Sequence, residues 1–221
     1  MTFRDRRDAG RRLADLVADR MADRATGLPG WPGLIVLGLP RGGVPVAAEV
    51  AARLGARLDV FPVRKVGVPG HEELAMGAVA LGGVRVVNHD VVRQGGVTPA
   101  ELEAAIARQL EAVSEQARTL RGDQPPPPLG GQAVVLVDDG LATGATMRAA
   151  VAAVSQQHPA ALIVAVPVAP VDVAHDLAGL VDAMVCLITP EPFFAVGSWY
   201  EDFSATTDDE VRRLLANQGG R

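Results

Sequence analysis

Two consecutive carboxylates close an apolar run in Val135-Leu136-Val137-Asp138-Asp139-Gly140-Leu141-Ala142-Thr143-Gly144-Ala145-Thr146. The run reads as a buried strand that delivers both acids into a loop of glycines and threonines, where a helix begins. Backbone N–H groups at a helix N-terminus, with the Thr143 and Thr146 hydroxyls, suit a phosphate. Asp138 and Asp139 then project where a pair of sugar hydroxyls or a hydrated magnesium ion can sit. The plainer reading is a strand, a cap and a helix, with the acids capping free donors. Two adjacent acids followed by Thr-Gly-x-Thr disfavour it. The loop has no Walker A lysine and is not G-x-G-x-x-G.

The segment 135–146 resembles the phosphoribosyl pyrophosphate (PRPP) binding signature of type I phosphoribosyltransferases, in which an apolar strand ends in two acids and runs into a T-G-x-T phosphate loop. Within that family D-D-G-L-A-T-G-A-T is most similar to the adenine-type members. Hypoxanthine/guanine-type members carry a further acid before the Thr-Gly pair, where this chain has Ala142. The resemblance implies an α/β fold with a mostly parallel central sheet flanked by helices, a flexible-loop hairpin and a small hood. It also implies that residues 138–146 bind PRPP and that Mg2+ is carried mainly by PRPP, with Asp138 reaching it through water.

Two more strand-end loops fit that expectation. Leu39-Pro40-Arg41-Gly42-Gly43 follows the first apolar run, LIVLGL (34–39). Two glycines admit a bulky anion to backbone amides, and Arg41 adds a fork of donors. A turn before a Pro45-initiated helix is the bland alternative, but the position resembles the family's pyrophosphate loop. Arg64-Lys65 ends the second run, where family members often place a basic residue toward pyrophosphate; a solvated lysine is the alternative. Residues 66–80 fall where the family carries its mobile loop, with Gly67, Gly70 and Gly77 as hinges and His71, Glu72 and Glu73 as candidates to close over substrate.

Five of the eight aromatics lie between 193 and 203. Phe194 and Trp199 can stack a planar base, and main-chain groups near Val196 and Gly197 can read its edges. Packing of the C-terminal segment explains the cluster equally well. The mechanism implied has Asp138 and Asp139 holding the ribose 2- and 3-hydroxyls beside an oxocarbenium-like C1, while Arg41 and Lys65 stabilise departing pyrophosphate. The expected activity is Mg-dependent transfer of ribose 5-phosphate from PRPP to a nitrogenous acceptor of nucleobase type. A non-catalytic PRPP- or nucleotide-binding regulator on the same fold is the rival, and a hydrolase with a generic nucleotide-phosphate loop is a third reading.

The elements that must position these loops alternate along the chain. Helices are expected at 4–22, 44–55, 99–121, 144–157, 171–179 and 207–215, and strands at 34–39, 57–63, 133–138, 161–169 and 182–188. GLPGWPG (27–33) reads as a turn-rich stop, residues 64–77 as a glycine-punctuated loop, and GAVAL and VRVV about Gly82-Gly83 as a hairpin. The order implies one domain over 1–221, with an N-terminal helix to 26, an inserted helix and Pro-rich connector at 99–131, and an aromatic segment from 189.

Of the 221 residues 48% are apolar and 21% charged, enough for one folded core. The net charge of −5 gives no footprint for nucleic acid. The apolar runs are too short for a bilayer, and residues 1–24 lack a secretory h-region. A cytoplasmic protein is expected. The single cysteine, Cys186, excludes a disulfide framework and reads as a small hydrophobe. His89, His158 and His175 show no metal-ligand spacing. A homodimer is expected from the family alone.

Overall fold

Continuous apolar runs become strands here because each is covered on both faces. The computed structural model describes residues 2–25 and 33–217. In chain order come α1 (Arg6–Ala25), β1 (Leu34–Gly38), α2 (Gly43–Leu54), β2 (Arg57–Val60), β3 (Val63–Val68), β4 (His71–Ala80), β5 (Val84–Val87), α3 (His89–Gln94) and α4 (Pro99–Arg121). Then follow β6 (Ala133–Val137), α5 (Ala145–Ser155), β7 (Ala161–Val168), α6 (Val171–Ala178), β8 (Ala183–Ile188), a 3-10 turn (Val196–Trp199) and α7 (Asp208–Ala216). The turn-rich segment 27–33 lies, except for Gly33, outside the described residues.

The central sheet is parallel throughout, in the order β2-β1-β6-β7-β8. Its period-two alternation splits β6: Val134 and Leu136 pack with Met147, Val151 and Val154 of α5, while Val135 and Val137 pack with Leu13 and Val17 of α1 and Val50 of α2. Both helix layers therefore follow from one apolar sequence. The strand order reverses direction between β1 and β6, which places a crevice at their carboxyl ends.

Two expectations change. Residues 57–63 are not one strand, because Pro62 brings no N–H to a ladder; β2 ends at Val60 and β3 begins at Val63 in a second sheet. Residues 64–77 are not a loop but most of an antiparallel β3–β4 pair, extended by β5. Val66, Val68, Met76 and Val79 of this sheet bury themselves against Ala105, Ile106 and Val113 of α4. The exposed His71-Glu72-Glu73 and the glycines hid the alternation. One element was not read at all: α3, six residues capped by Asn88, whose side chain accepts from the Asp90 and Val91 N–H groups, is too short to show a period.

The 99–121 helix forms as expected. Thr98 and Glu101 make a reciprocal capping box and Pro99 opens the first turn. Its placement gives the insertion a structural role, since α4 covers the second sheet.

Candidate active site

At the crevice, Gly38 of β1 stands opposite Val137 of β6, and the Leu39 N–H donates to the Val137 carbonyl at 2.9 Å. The two loops that leave these strands are pressed together. A methyl group on Gly43 would lie 2.6 Å from the Val137 oxygen, and one on Gly42 would lie 2.1 Å from Asp139 Oδ2. Only glycine allows that approach. The Gly43 N–H is already bonded to the Leu39 carbonyl at 3.0 Å, so the first task of this pair is to seat the loop against the acids. The Pro40–Arg41 peptide in this loop is cis.

The acids have different surroundings. Asp138 Oδ1 accepts the Asp139 N–H at 2.9 Å. Burial, and then the charge of Asp139, push the Asp138 carboxyl well above the ordinary carboxylate range. Burial also raises Asp139, but the Arg6 guanidinium opposes it. Arg6 Nε donates to Asp139 Oδ2 at 2.7 Å, with the two side chains only 12% and 15% exposed. Arg6 Nη1 donates to the Ser204 carbonyl at 2.6 Å, and the guanidinium lies 3.9 Å over the Phe203 ring. The Tyr200 hydroxyl donates to the Asp139 carbonyl.

Along the β6–α5 loop, Gly140 and Leu141 are buried. The Leu141 side chain belongs to the core and its N–H is bonded to the Val168 carbonyl at 2.9 Å, so this residue shapes the loop from within. Ala142, Thr143 and Thr146 are exposed, and Ala145 is partly so. Gly144 takes the left-handed φ of 70°, and a side chain there would meet Val173 Cγ1 at 2.7 Å. Gly144 at the cap position of α5 has no side chain to bond the helix donors, and the Thr143 hydroxyl accepts from the Ala145 N–H at a long 3.4 Å. A helix N-terminus so lightly capped beside the acids offers backbone donors and the positive end of a helix dipole to an anion.

The basic candidates diverge. Arg41 is half exposed and pairs with Asp208 at 3.4 Å. With Arg64 it lines a cavity of about 540 Å³ against α4. Lys65, one residue along β3, lines another of about 620 Å³ with Ala145, Arg148 and Ala149 of α5. Arg41 and Lys65 thus do not share a cavity. Arg148, absent from the sequence reading, donates to the Thr143 carbonyl at 3.2 Å and so braces the β6–α5 loop.

The aromatic cluster divides as well. Phe3, Tyr200 and Phe203 stack in series, with centroids 5.3 and 5.0 Å apart, so these rings serve packing. Trp199 and Phe193 pack against the same cluster. Trp199 Nε1 is buried with no partner among the described residues. Phe194, 83% exposed, remains open for stacking. Val196 covers the acid loop so closely that a methyl on Gly140 would lie 2.5 Å from its Cγ1.

Sequence reasoning missed Arg6 and Tyr200 as partners of Asp139. The one available signal was electrostatic: two adjacent buried acids need a counter-charge, and the loop itself contains none. Among the described residues no group of three or more His, Cys, Asp or Glu side chains can cage a metal. One carboxylate beside a phosphate loop does suit Mg2+, which keeps several waters and binds through few protein oxygens plus substrate phosphates.

Together these features describe a doubly wound α/β protein with an acid pair and a helix N-terminus at its switch point. A model of the phosphoribosyl transferase domain matches residues 8–181, and the chain belongs to that family. A provisionally named phosphoribosyl transferase of Mycobacterium tuberculosis, in strains CDC 1551 / Oshkosh and ATCC 25618 / H37Rv, is 47% identical over 214 residues. That match covers 96% of this chain but 46% of the relative, so the chain spans about half the length of the curated relatives it matches. The crystal structure of TT1426 from Thermus thermophilus is similar at 43% identity, covering 99% of each chain, with a TM-score of 0.85. Among the described residues no helix is long and apolar enough to cross a membrane.

Proposed function

We propose that the chain binds PRPP at the β6–α5 loop and transfers its ribose 5-phosphate to a nitrogenous acceptor of nucleobase type, releasing pyrophosphate. One observation carries this reading: the acid pair and the glycine-capped N-terminus of α5 stand side by side at the switch point, closed by the Gly42-Gly43 loop. The 5-phosphate takes the donors of Thr143–Thr146, and the ribose hydroxyls take the carboxylates. Asp138 and Asp139 hold negative field against the positive charge that develops at C1, which is stronger help to the transition state than to bound donor. Mg2+, when bound, neutralises charge on the pyrophosphate. Lys65 faces the α5 side of the site, and Phe194 offers the acceptor a ring.

A PRPP-binding regulator without turnover is the second reading. It is favoured by Arg41, whose guanidinium is tied to Asp208 instead of facing the acids. Pyrophosphate release from Mg-PRPP, measured with purine and pyrimidine bases added separately and with Asp138→Asn as control, decides between them. Base-stimulated release that the variant loses supports transfer. PRPP binding without release under any base supports the regulator. Neither binding nor release removes both.

A further inference from the structure

We propose that Arg6 is a positioning residue of the donor site, fixing the Asp139 carboxylate and tying it to the aromatic C-terminal segment. The inference rests on the donor-site reading of the acid pair. Arg6 lies at the start of α1, 133 residues from its partner, yet its guanidinium makes three contacts on that side of the molecule. It bonds Asp139 Oδ2 at 2.7 Å, bonds the Ser204 carbonyl at 2.6 Å and stacks on Phe203 at 3.9 Å.

The chain before Arg6 holds the guanidinium in place. Phe3 donates its N–H to the Trp199 carbonyl at 2.8 Å and accepts from the Glu201 N–H at 2.8 Å, while the Arg4 carbonyl accepts from Asp202 at 2.9 Å. This arm pairs with residues 199–202 as a short parallel ribbon. On the other side Asp139 is confined by Gly42, where even a methyl group would strike its carboxylate. Three segments remote in sequence, 2–6, 39–43 and 199–204, thus meet at one acid of the loop.

As a stability device such a pair is poor, because desolvating both ions offsets much of their attraction. As a positioning device it is effective. Arg6 supplies the counter-charge that lets two adjacent carboxylates remain together, and it holds Asp139 through Oδ2. The same cation touches Phe203, so the acid that would serve the donor ribose and the segment that would border the acceptor are set by one side chain.

The test is a double-mutant cycle on PRPP-dependent turnover, with Arg6→Gln, Asp139→Asn and the pair. Misplacing a catalytic group costs on the order of 10²-fold in rate, so Arg6→Gln should lower kcat by about that factor with KM for PRPP changed far less. In the Asp139→Asn background Arg6→Gln should cost nothing more, and Arg6→Lys should recover part of the loss. Equal losses in both backgrounds, or a kcat unchanged by Arg6→Gln, would overturn the role. If Arg6→Gln does not fold, the same cycle with Arg6→Lys replaces it: a loss that vanishes in Asp139→Asn supports the role, and a loss that persists there contradicts it. Wild-type protein that neither turns over nor binds PRPP would instead remove the donor-site reading itself.

Discussion

Asp138 and Asp139 are the same residue type in different environments: among the described residues one has a backbone N–H as its hydrogen-bond partner, and the other is paired to Arg6. Residue chemistry of this kind depends on burial as much as on identity, and Cys186 gives an independent check. Burial pushes its thiol up to about 11, and the Sγ–H donates to the Ile188 carbonyl at 3.2 Å. At pH 8 only about a thousandth of it is thiolate, against roughly a quarter for an ordinary cysteine. Labelling of the native protein by a disulfide reagent should be slower than that of the unfolded chain on the order of 10²-fold, and should accelerate as pH rises toward 11. Equal rates in the two states at pH 8 would show the thiol exposed. The acid pair, the threonines and Gly144 were legible in the sequence because one short segment carries them all. Leu141 sits in the same segment, but its burial depends on β7, which the local pattern does not describe.

The β3–β4 pair is the element that most changes the picture of the site. A mobile loop over 66–80 predicts that side chains there contribute little to stability. The structure instead buries Met76 completely against α4 and leaves Leu74 half exposed. Met76→Ala should therefore cost about 2–5 kcal/mol in denaturant unfolding, while Leu74→Ala should stay within about 0.5 kcal/mol. Two near-zero values would restore the loop. The strands of the central sheet were legible since burial on both faces writes an unbroken apolar run. The second sheet was not, because its outer face carries His71, Glu72 and Glu73 and its register shifts around Gly67. Pro99 in the first turn made the start of α4 readable, although neither its Thr98–Glu101 capping box nor the surface it covers was read.

Across the whole molecule, long-range ion pairs join what the elements leave separate. Asp59 of β2 and Arg121 at the end of α4 pair at 2.8 Å with side chains 6% and 5% exposed, so the inserted helix is fastened to the edge of the central sheet. Removing the charge from one partner strands the other. Asp59→Asn should cost about 3 kcal/mol in unfolding free energy, whereas a joint replacement of Asp59 and Arg121 by leucine should cost much less. A single variant as stable as wild type would mean that the helix is held by packing alone. Neither this pair nor Arg6–Asp139 was legible, since partners 62 and 133 residues apart leave no local pattern. Element order, by contrast, was legible and pointed to strand-end loops as the site, but the pairing of β1 with β6 that brings two of those loops together was not. The site in the crevice between β1 and β6 is tested by calorimetric titration of wild type and Asp138→Asn with PRPP in the presence of Mg2+. Saturable binding to wild type that weakens at least about tenfold in the variant is expected. No binding to wild type, or equal binding to both proteins, would contradict it.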